Sequence, residues 1–204
     1  MLFSDINLPE KLSQYLEEIY GDLSLRDAFY SCDIDIYSPE SLLELISDKS
    51  LWLEPGEPNY EIKPFAGSAD GGFWVVLNDE YIGYIGSEGE CGIVARNVDE
   101  FMNIIAVCKF LDLRVSSLKN EESFIESIDE ANEEFEYQEV FDRFIEKHKF
   151  EKDISKAYKL LKLGLTVKPF FEIKATDDEY CDSYSLLGAD DGQQALEKFI
   201  ADYL

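Results

Sequence analysis

Side chains suited to catalysis are scarce in this chain. His148 is the only histidine, and it lies between Lys147 and Lys149 near the end of a predicted helix. A histidine metal site or a two-histidine nuclease mechanism is thereby excluded, and a catalytic triad would need this one residue. Because a cation at a helix C-terminus interacts favourably with the helix dipole, we predict a structural role for His148.

Two glycine-rich turns could bind phosphate through their backbone N–H groups. They lie at residues 71–72 and within residues 85–89, and the second segment departs from a nucleophile elbow at its first position. A phosphate-binding loop also needs a Lys-Ser/Thr pair at a helix start. Because Asp70, Glu88 and Glu90 surround these glycines and would repel an anion, we predict turns that only connect hairpin strands.

Carboxylates and thiols offer the remaining candidates for chemistry. Residues 177–179, or Glu88 with Glu90, could be proposed as calcium ligands or glycosidase acids, but neither group has EF-hand spacing and solvated turns commonly carry acids. The cysteines show no Cys-x-x-Cys spacing, which favours buried free thiols over zinc ligands or disulfides. They are Cys32, Cys91, Cys108 and Cys181. We therefore expect no catalytic residue, metal or cofactor and predict that the protein is not an enzyme, with carboxylate-only chemistry as the open alternative.

The elements that would position a site centre on residues 65–106. Phe73–Leu77 is an uninterrupted apolar run rich in β-formers, which predicts a strand covered on both faces. Asn78 and Asp79 favour a two-residue turn, since both tolerate positive φ or bond to their own backbone. A return strand at Tyr81–Ile85 and a third strand at residues 91–96 would complete a meander.

A buried helix is predicted directly after this meander. Asn97 is a good N-cap, and Glu100 three residues later would complete a capping box. The following residues, 98–113, are apolar over most of the helix circumference, so this helix should pack deeply against the sheet.

Shorter elements are expected before the meander. The N-terminal segment predicts a helix over residues 9–20, a further helical turn within 24–31, a half-buried strand at 32–36 and a helix from Ser38 to Ser47. Residues 52–64 contain three prolines, which favours a loop or an edge strand over the sheet centre.

Helices also dominate the chain after the meander. We predict an acidic surface helix over residues 120–136, a helix over 137–148, and a lysine-rich helix over 147–162 that Gly164 caps. A late hairpin from residues 167–175 and 180–187 and a closing helix over 190–203 would follow. The sum is an α+β fold with a central antiparallel β-meander flanked by helices, in a single domain over residues 1–204.

Net charge restricts the classes of partner. The chain has 44 acidic residues against 18 Lys plus Arg, for a net charge of −26. Such a surface repels nucleic acid and anionic membranes, and it speeds encounter with basic proteins. Because no long uncharged apolar stretch and no signal-like N-terminus is present, we expect a cytoplasmic protein.

The glycine turns and the helix start after them resemble the SUKH superfamily, which includes the yeast cell-wall assembly regulator domain and many bacterial immunity proteins. The residues that carry this resemblance are Asp70, Gly71, Gly72, Gly83, Ser87, Glu88, Gly89, Glu90, Ala95, Asp99, Glu100 and Phe101. The resemblance covers about a fifth of the chain and is a fold signature rather than a catalytic one.

The resemblance implies an immunity protein that neutralises a cognate toxin, expected to be a basic nuclease-type protein. The alternative that it leaves open is a cytoplasmic regulatory scaffold or adaptor of the cell-wall assembly regulator type. By resemblance, partner contacts are placed on Asp70, Trp74, Asp79, Glu80, Tyr81, Glu88 and Glu90. For Trp74, a position in the core is an equally good expectation.

Overall fold

Eight strands are present in the part of the chain that the structure, a computed structural model, describes: residues 1–109, 120–133, 135–177, 180–186 and 201. In chain order they are β1 (Asp35–Ile36), β2 (Gly56–Pro58), β3 (Ile62–Gly67), β4 (Phe73–Leu77), β5 (Tyr81–Ile85), β6 (Glu90–Ala95), β7 (Ile173–Ala175) and β8 (Tyr184–Ser185). Six of them form one sheet in the order β1-β3-β4-β5-β6-β8, antiparallel except between β6 and β8. The antiparallel pair β2–β7 forms a second, small sheet.

Helices precede and follow the meander, as the sequence predicts. They are α1 (Glu10–Gly21), α2 (Leu23–Tyr30), α3 (Pro39–Ser47), α4 (Val98–Ile105), α5 (Glu121–Glu133), α6 (Gln138–His148) and α7 (Ile154–Leu165). Two short 3-10 helices, Phe3–Asp5 and Lys49–Leu51, complete the described helical elements. The α+β class with a central antiparallel meander is confirmed.

Strand β4 confirms the prediction of a strand covered on both faces. Its side chains alternate: Trp74 and Val76 join the larger core beneath the helices, and Val75 and Leu77 join a second core on the opposite face. Asn78 and Asp79 have φ values of 51° and 59°, which is the left-handed pair of a type I′ hairpin turn. The apolar run and the turn chemistry therefore specify this part of the meander locally.

Strand β3 lies between β1 and β4, but β1 pairs only with its last two residues, Ala66 and Gly67. Residues 62–64 therefore pair with β4 alone, which confirms the prediction of an edge position for the end of the proline-containing segment. Pro64 is accommodated because the register with β4 shifts between Pro64 and Ala66, and such an irregularity tolerates a residue without an N–H.

The prediction of a late hairpin is wrong. β7 pairs with β2, and β8 pairs with β6, so the two segments belong to different sheets. The strand expected at residues 32–36 is reduced to β1, because Asp33 has a positive φ of 62° that ends extended structure. Gly164 lies within α7 rather than capping it.

The cap of α4 is confirmed in part. The Asn97 side chain accepts a hydrogen bond from the Glu100 N–H, as an N-cap should, but the Glu100 carboxylate bonds to the Arg96 N–H instead of completing a capping box. Residues 110–113 of the helix predicted here, and the closing helix apart from residue 201, lie outside the described residues. Within the described ranges, no helix is both long and apolar enough to cross a bilayer.

Candidate functional site

The predicted contact residues lie at two opposite ends of the sheet. Asp79 and Glu80 form the β4–β5 turn, and Tyr81 begins β5 directly after it. At the other end, Asp70 lies in the β3–β4 turn, Glu88 lies in the β5–β6 turn, and Glu90 begins β6. Strands of five residues separate the two ends, which amounts to roughly 15 Å at the usual rise per residue.

Trp74, the remaining predicted contact, lies in the core. Its exposed fraction is 2%, its ring contacts Phe101 and Tyr84, and its indole N–H donates a 2.9 Å hydrogen bond to the Asp33 carbonyl. A partner cannot reach this ring in the folded state. Trp74 therefore has the core position that the sequence left as its other expectation.

At the β4–β5 end, Asp79 is paired within the protein, whereas Glu80 is exposed. The Lys63 ammonium, whose side chain is only 5% exposed, lies 2.6 Å from the Asp79 carboxylate and 3.4 Å from that of Glu61. Burial alone would lower the pKa of Lys63, but these two carboxylates raise it above its ordinary value. Tyr81 packs edge-to-face on Tyr60, so this end is mainly a structural contact.

At the opposite end, Asp70 organises the β3–β4 turn. Its carboxylate accepts hydrogen bonds from the Ser68 hydroxyl, the Gly72 N–H and the Tyr84 hydroxyl. Burial would raise the pKa of Asp70, but these donors outweigh it and hold the pKa below its ordinary value. The group is therefore a stable anion at neutral pH.

Asp33 supports the same turn from a neighbouring loop. Its carboxylate accepts a 2.6 Å hydrogen bond from the Ala69 N–H. Burial raises the pKa of Asp33; the Ala69 hydrogen bond opposes that rise, and the nearby Asp70 charge adds to it. The carboxylates of Asp33 and Asp70 therefore lie close together beneath the turn, and their mutual repulsion costs folding free energy.

A pocket of about 210 Å³ opens beside these turns. Residues 52–55, the turns at Gly71 and residues 86–89, strand β7 and residues 180–183 surround it. Its aromatic and aliphatic lining comes mainly from Trp52, Phe73, Ile85, Ile173 and Tyr180. This is the face of the sheet that carries the second core, opposite the helices.

The shape of the pocket is fixed by hydrogen bonds and tight turns. The Trp52 indole N–H donates a 2.9 Å hydrogen bond to the Leu45 carbonyl, and its ring lies 5.2 Å from that of Phe73, centroid to centroid. Gly71 and Gly89 have φ values of 92° and 94°, which side chains rarely adopt, so glycine is required for these two turns to bend beside the pocket.

Glu54 is the one acidic residue among the described residues that line the pocket, and further acids are chain neighbours of lining residues. Together we call them the acidic rim: Glu54, Glu88, Glu90 and Asp182. Asp70 also neighbours a lining residue, but its carboxylate is bonded to Tyr84, which packs in the core on the other face of the sheet. None of the described residues that line the pocket is Lys, Arg or His. The site therefore combines a partly apolar cavity with a negative surround.

Sequence reasoning found the rim residues Glu88 and Glu90 and missed the pocket. Trp52 and Tyr180 are far apart in the chain and meet only through the β2–β7 pair. The one signal available in the sequence was an aromatic residue, Trp52, next to a proline-rich segment.

The other chemical candidates have structural placements. His148 ends α6, as predicted, with its Nε2 3.0 Å from the Glu18 carboxylate and its ring stacked on Phe150. Three cysteines are buried free thiols, as expected, but Cys181 is exposed at the pocket. Among the described residues, no group of three or more His, Cys, Asp or Glu side chains is placed to hold a metal ion.

Comparison of the chain with protein-family models, with curated proteins and with solved structures found no match. The resemblance to the SUKH superfamily therefore stays a prediction from the sequence.

Proposed function

We propose that this protein is a non-enzymatic binding module that engages a basic protein through the pocket and its acidic rim. The observation that carries the proposal is the coincidence of the two: an aromatic cavity whose described lining residues include the carboxylate of Glu54 and no cation, with further acids next to the lining residues in the chain. Protein interfaces commonly combine a few buried anchors with a polar, charged margin, and this end of the sheet offers both parts.

The class of partner follows from charge and from the SUKH resemblance. Glu88 and Glu90 carry part of that resemblance and belong to the acidic rim. We propose an immunity protein, and its partner a nuclease-type toxin whose basic surface would otherwise hold nucleic acid phosphates. The rim carboxylates would replace those phosphates and block the toxin's substrate.

The two parts of the site should contribute differently to binding. Exposed rim charges mainly accelerate encounter and make association dependent on salt, whereas groups buried at the centre of an interface mainly slow dissociation. Exchange of rim carboxylates should therefore reduce the association rate more than it raises the dissociation rate.

The test uses the purified product of the gene adjacent to this one. We expect a tight, salt-sensitive complex that inhibits the partner's nuclease activity. The double variant Glu54→Gln/Glu88→Gln should weaken it about tenfold, which corresponds to about 1.4 kcal/mol. The matched control, Glu122→Gln/Glu126→Gln, removes the same charge from exposed positions on α5 and should change the dissociation constant less than about twofold.

Equal weakening by both double variants would show that only total charge matters and would overturn the assignment to this site. Absence of a complex would overturn the immunity function. A complex that leaves the partner's nuclease activity unchanged would support the scaffold or adaptor class instead.

A further inference from the structure

We infer that the pocket binds one arginine side chain of the basic partner, an inference that rests on the proposed function for the existence of that partner. It assigns a ligand chemistry to a cavity that neither the charge of the chain nor its resemblance to a family points to.

The size of the pocket suits a single side chain. Its volume of about 210 Å³ lies below the range of roughly 300–1,000 Å³ that is usual for small-molecule sites. A protruding side chain held by its own protein backbone fits such a space without a large ordering cost.

The lining matches the two parts of an arginine side chain. Trp52 and Phe73 offer aromatic surfaces, on which a planar guanidinium stacks well and a lysine ammonium less so. Ile85 and Ile173 provide aliphatic surface for the three methylene groups. Because the Trp52 indole is already anchored to the Leu45 carbonyl, the stacking surface is preformed.

The charges around the pocket select a cation. Glu54 lines the pocket and is exposed, so its carboxylate is available to a guanidinium. Glu54 is the one acidic residue among the described lining residues, because the Glu90 carboxylate accepts the Glu88 N–H within the neighbouring turn. The nearest basic residue of β7, Lys174, points to the other side of its strand, because its neighbours Ile173 and Ala175 line the pocket.

The indole N–H signals of the two tryptophans can report whether the pocket is occupied, because one tryptophan lines the pocket and the other serves as an internal control. The chain has two tryptophans, Trp52 at the pocket and Trp74 in the core on the other face of the sheet. In ¹H–¹⁵N correlation spectra of the full chain, N-acetyl-L-arginine amide should shift the Trp52 indole signal saturably. The Trp74 signal should stay in place.

Two comparisons test the chemistry. The citrulline analogue has the same shape without charge and should bind at least about tenfold more weakly. Glu54→Gln should weaken arginine binding about fivefold, whereas Glu57→Gln, which removes an equal charge from an exposed position outside the lining, should leave it unchanged. An unshifted Trp74 signal in each variant verifies that the core is intact.

Three results would overturn the inference: no saturable shift of Trp52, equal binding of the citrulline analogue, or equal effects of the two glutamate variants. None of these requires the partner protein. A failure here together with an inhibitory, site-dependent complex would reject the arginine pocket and leave the proposed function standing. Binding of the probe without any such complex would reject the function alone.

Discussion

At Gly164, a helix packs so closely on a strand that there is no room for a side chain. A Cβ at this position would lie 2.9 Å from the Ala95 nitrogen and closer still to the Val94 carbonyl, both of them backbone atoms of β6. We expect Gly164→Ala to destabilise the protein by about 1–2 kcal/mol, since overpacking outweighs the gain in helix propensity. Urea unfolding measures this difference.

Gly21 is the matched control for that substitution. It is also helical, as the last residue of α1, but an added Cβ would meet nothing within 4 Å. Gly21→Ala should therefore leave stability unchanged or raise it by about 0.5 kcal/mol. If both substitutions had the same effect, helix propensity rather than packing against β6 would decide the outcome.

At the scale of elements, Asp33 links the turn before β1 to the turn between β3 and β4. Because the pKa of Asp33 is raised in the folded state, ionisation as pH rises through that range costs stability. Asp33→Asn keeps an acceptor for the Ala69 N–H and tolerates the positive φ. We expect a gain of about 0.5 kcal/mol at pH 7.

The pH dependence distinguishes this cause from a simple change in net charge. Below the ordinary pKa of an aspartate, Asp33 is protonated in both states, so the gain from Asp33→Asn should disappear in urea titrations near pH 3. Asp35→Asn removes the same charge two residues away and serves as the control. A gain that persists at acidic pH would contradict the electrostatic explanation.

Elements fixed by local chemistry could be predicted from the sequence, and elements fixed by distant pairing could not. The uninterrupted apolar run of β-formers predicted β4, and Asn78 with Asp79 predicted its turn. Nothing near Gly56 in the chain indicates that it will pair with Ala175, and a bulge that admits Pro64 into the sheet depends on the facing strand. The pocket depends on such long-range pairing, which is why only its turn residues were found.

The difference between local chemistry and long-range pairing also explains why the predicted contact residues lie at two opposite ends of the sheet. A short motif places Asp70, Asp79 and Glu88 near one another in the chain, but a strand reverses direction at every turn. Successive turns of a meander therefore lie at opposite ends of the sheet. Buried Lys63 then binds Asp79 at one end, and the pocket lies at the other.

For the whole molecule, negative charge is distributed beyond the site. Helix α5 contains no Lys or Arg, and its exposed acids Glu122, Glu126, Asp129 and Glu133 follow one face. Like charges spaced this way cost a helix about 0.2–0.5 kcal/mol per pair. Burial of Phe124 and Ile128 offsets this cost and stabilises helix α5. The Phe124 ring packs on Tyr158 of α7.

Salt should therefore act on folding and on binding in opposite directions. Raising NaCl from 10 to 150 mM shortens the screening length from about 30 Å to about 8 Å. Relief of self-repulsion in a chain of net charge −26 should raise the midpoint of thermal unfolding by about 3–5 °C. Over the same range the complex with a basic partner should weaken, because screening reduces the attraction between the two proteins.

Calorimetry of the free protein and titration of the complex in the same buffers measure the two effects. Sucrose at equal osmolality is the control for non-electrostatic stabilisation. A melting temperature that falls with added NaCl would mean that attractive ion pairs such as Lys63–Asp79 outweigh the general repulsion. In that case the net negative charge would not destabilise the folded protein, and binding of a basic partner would relieve no repulsion.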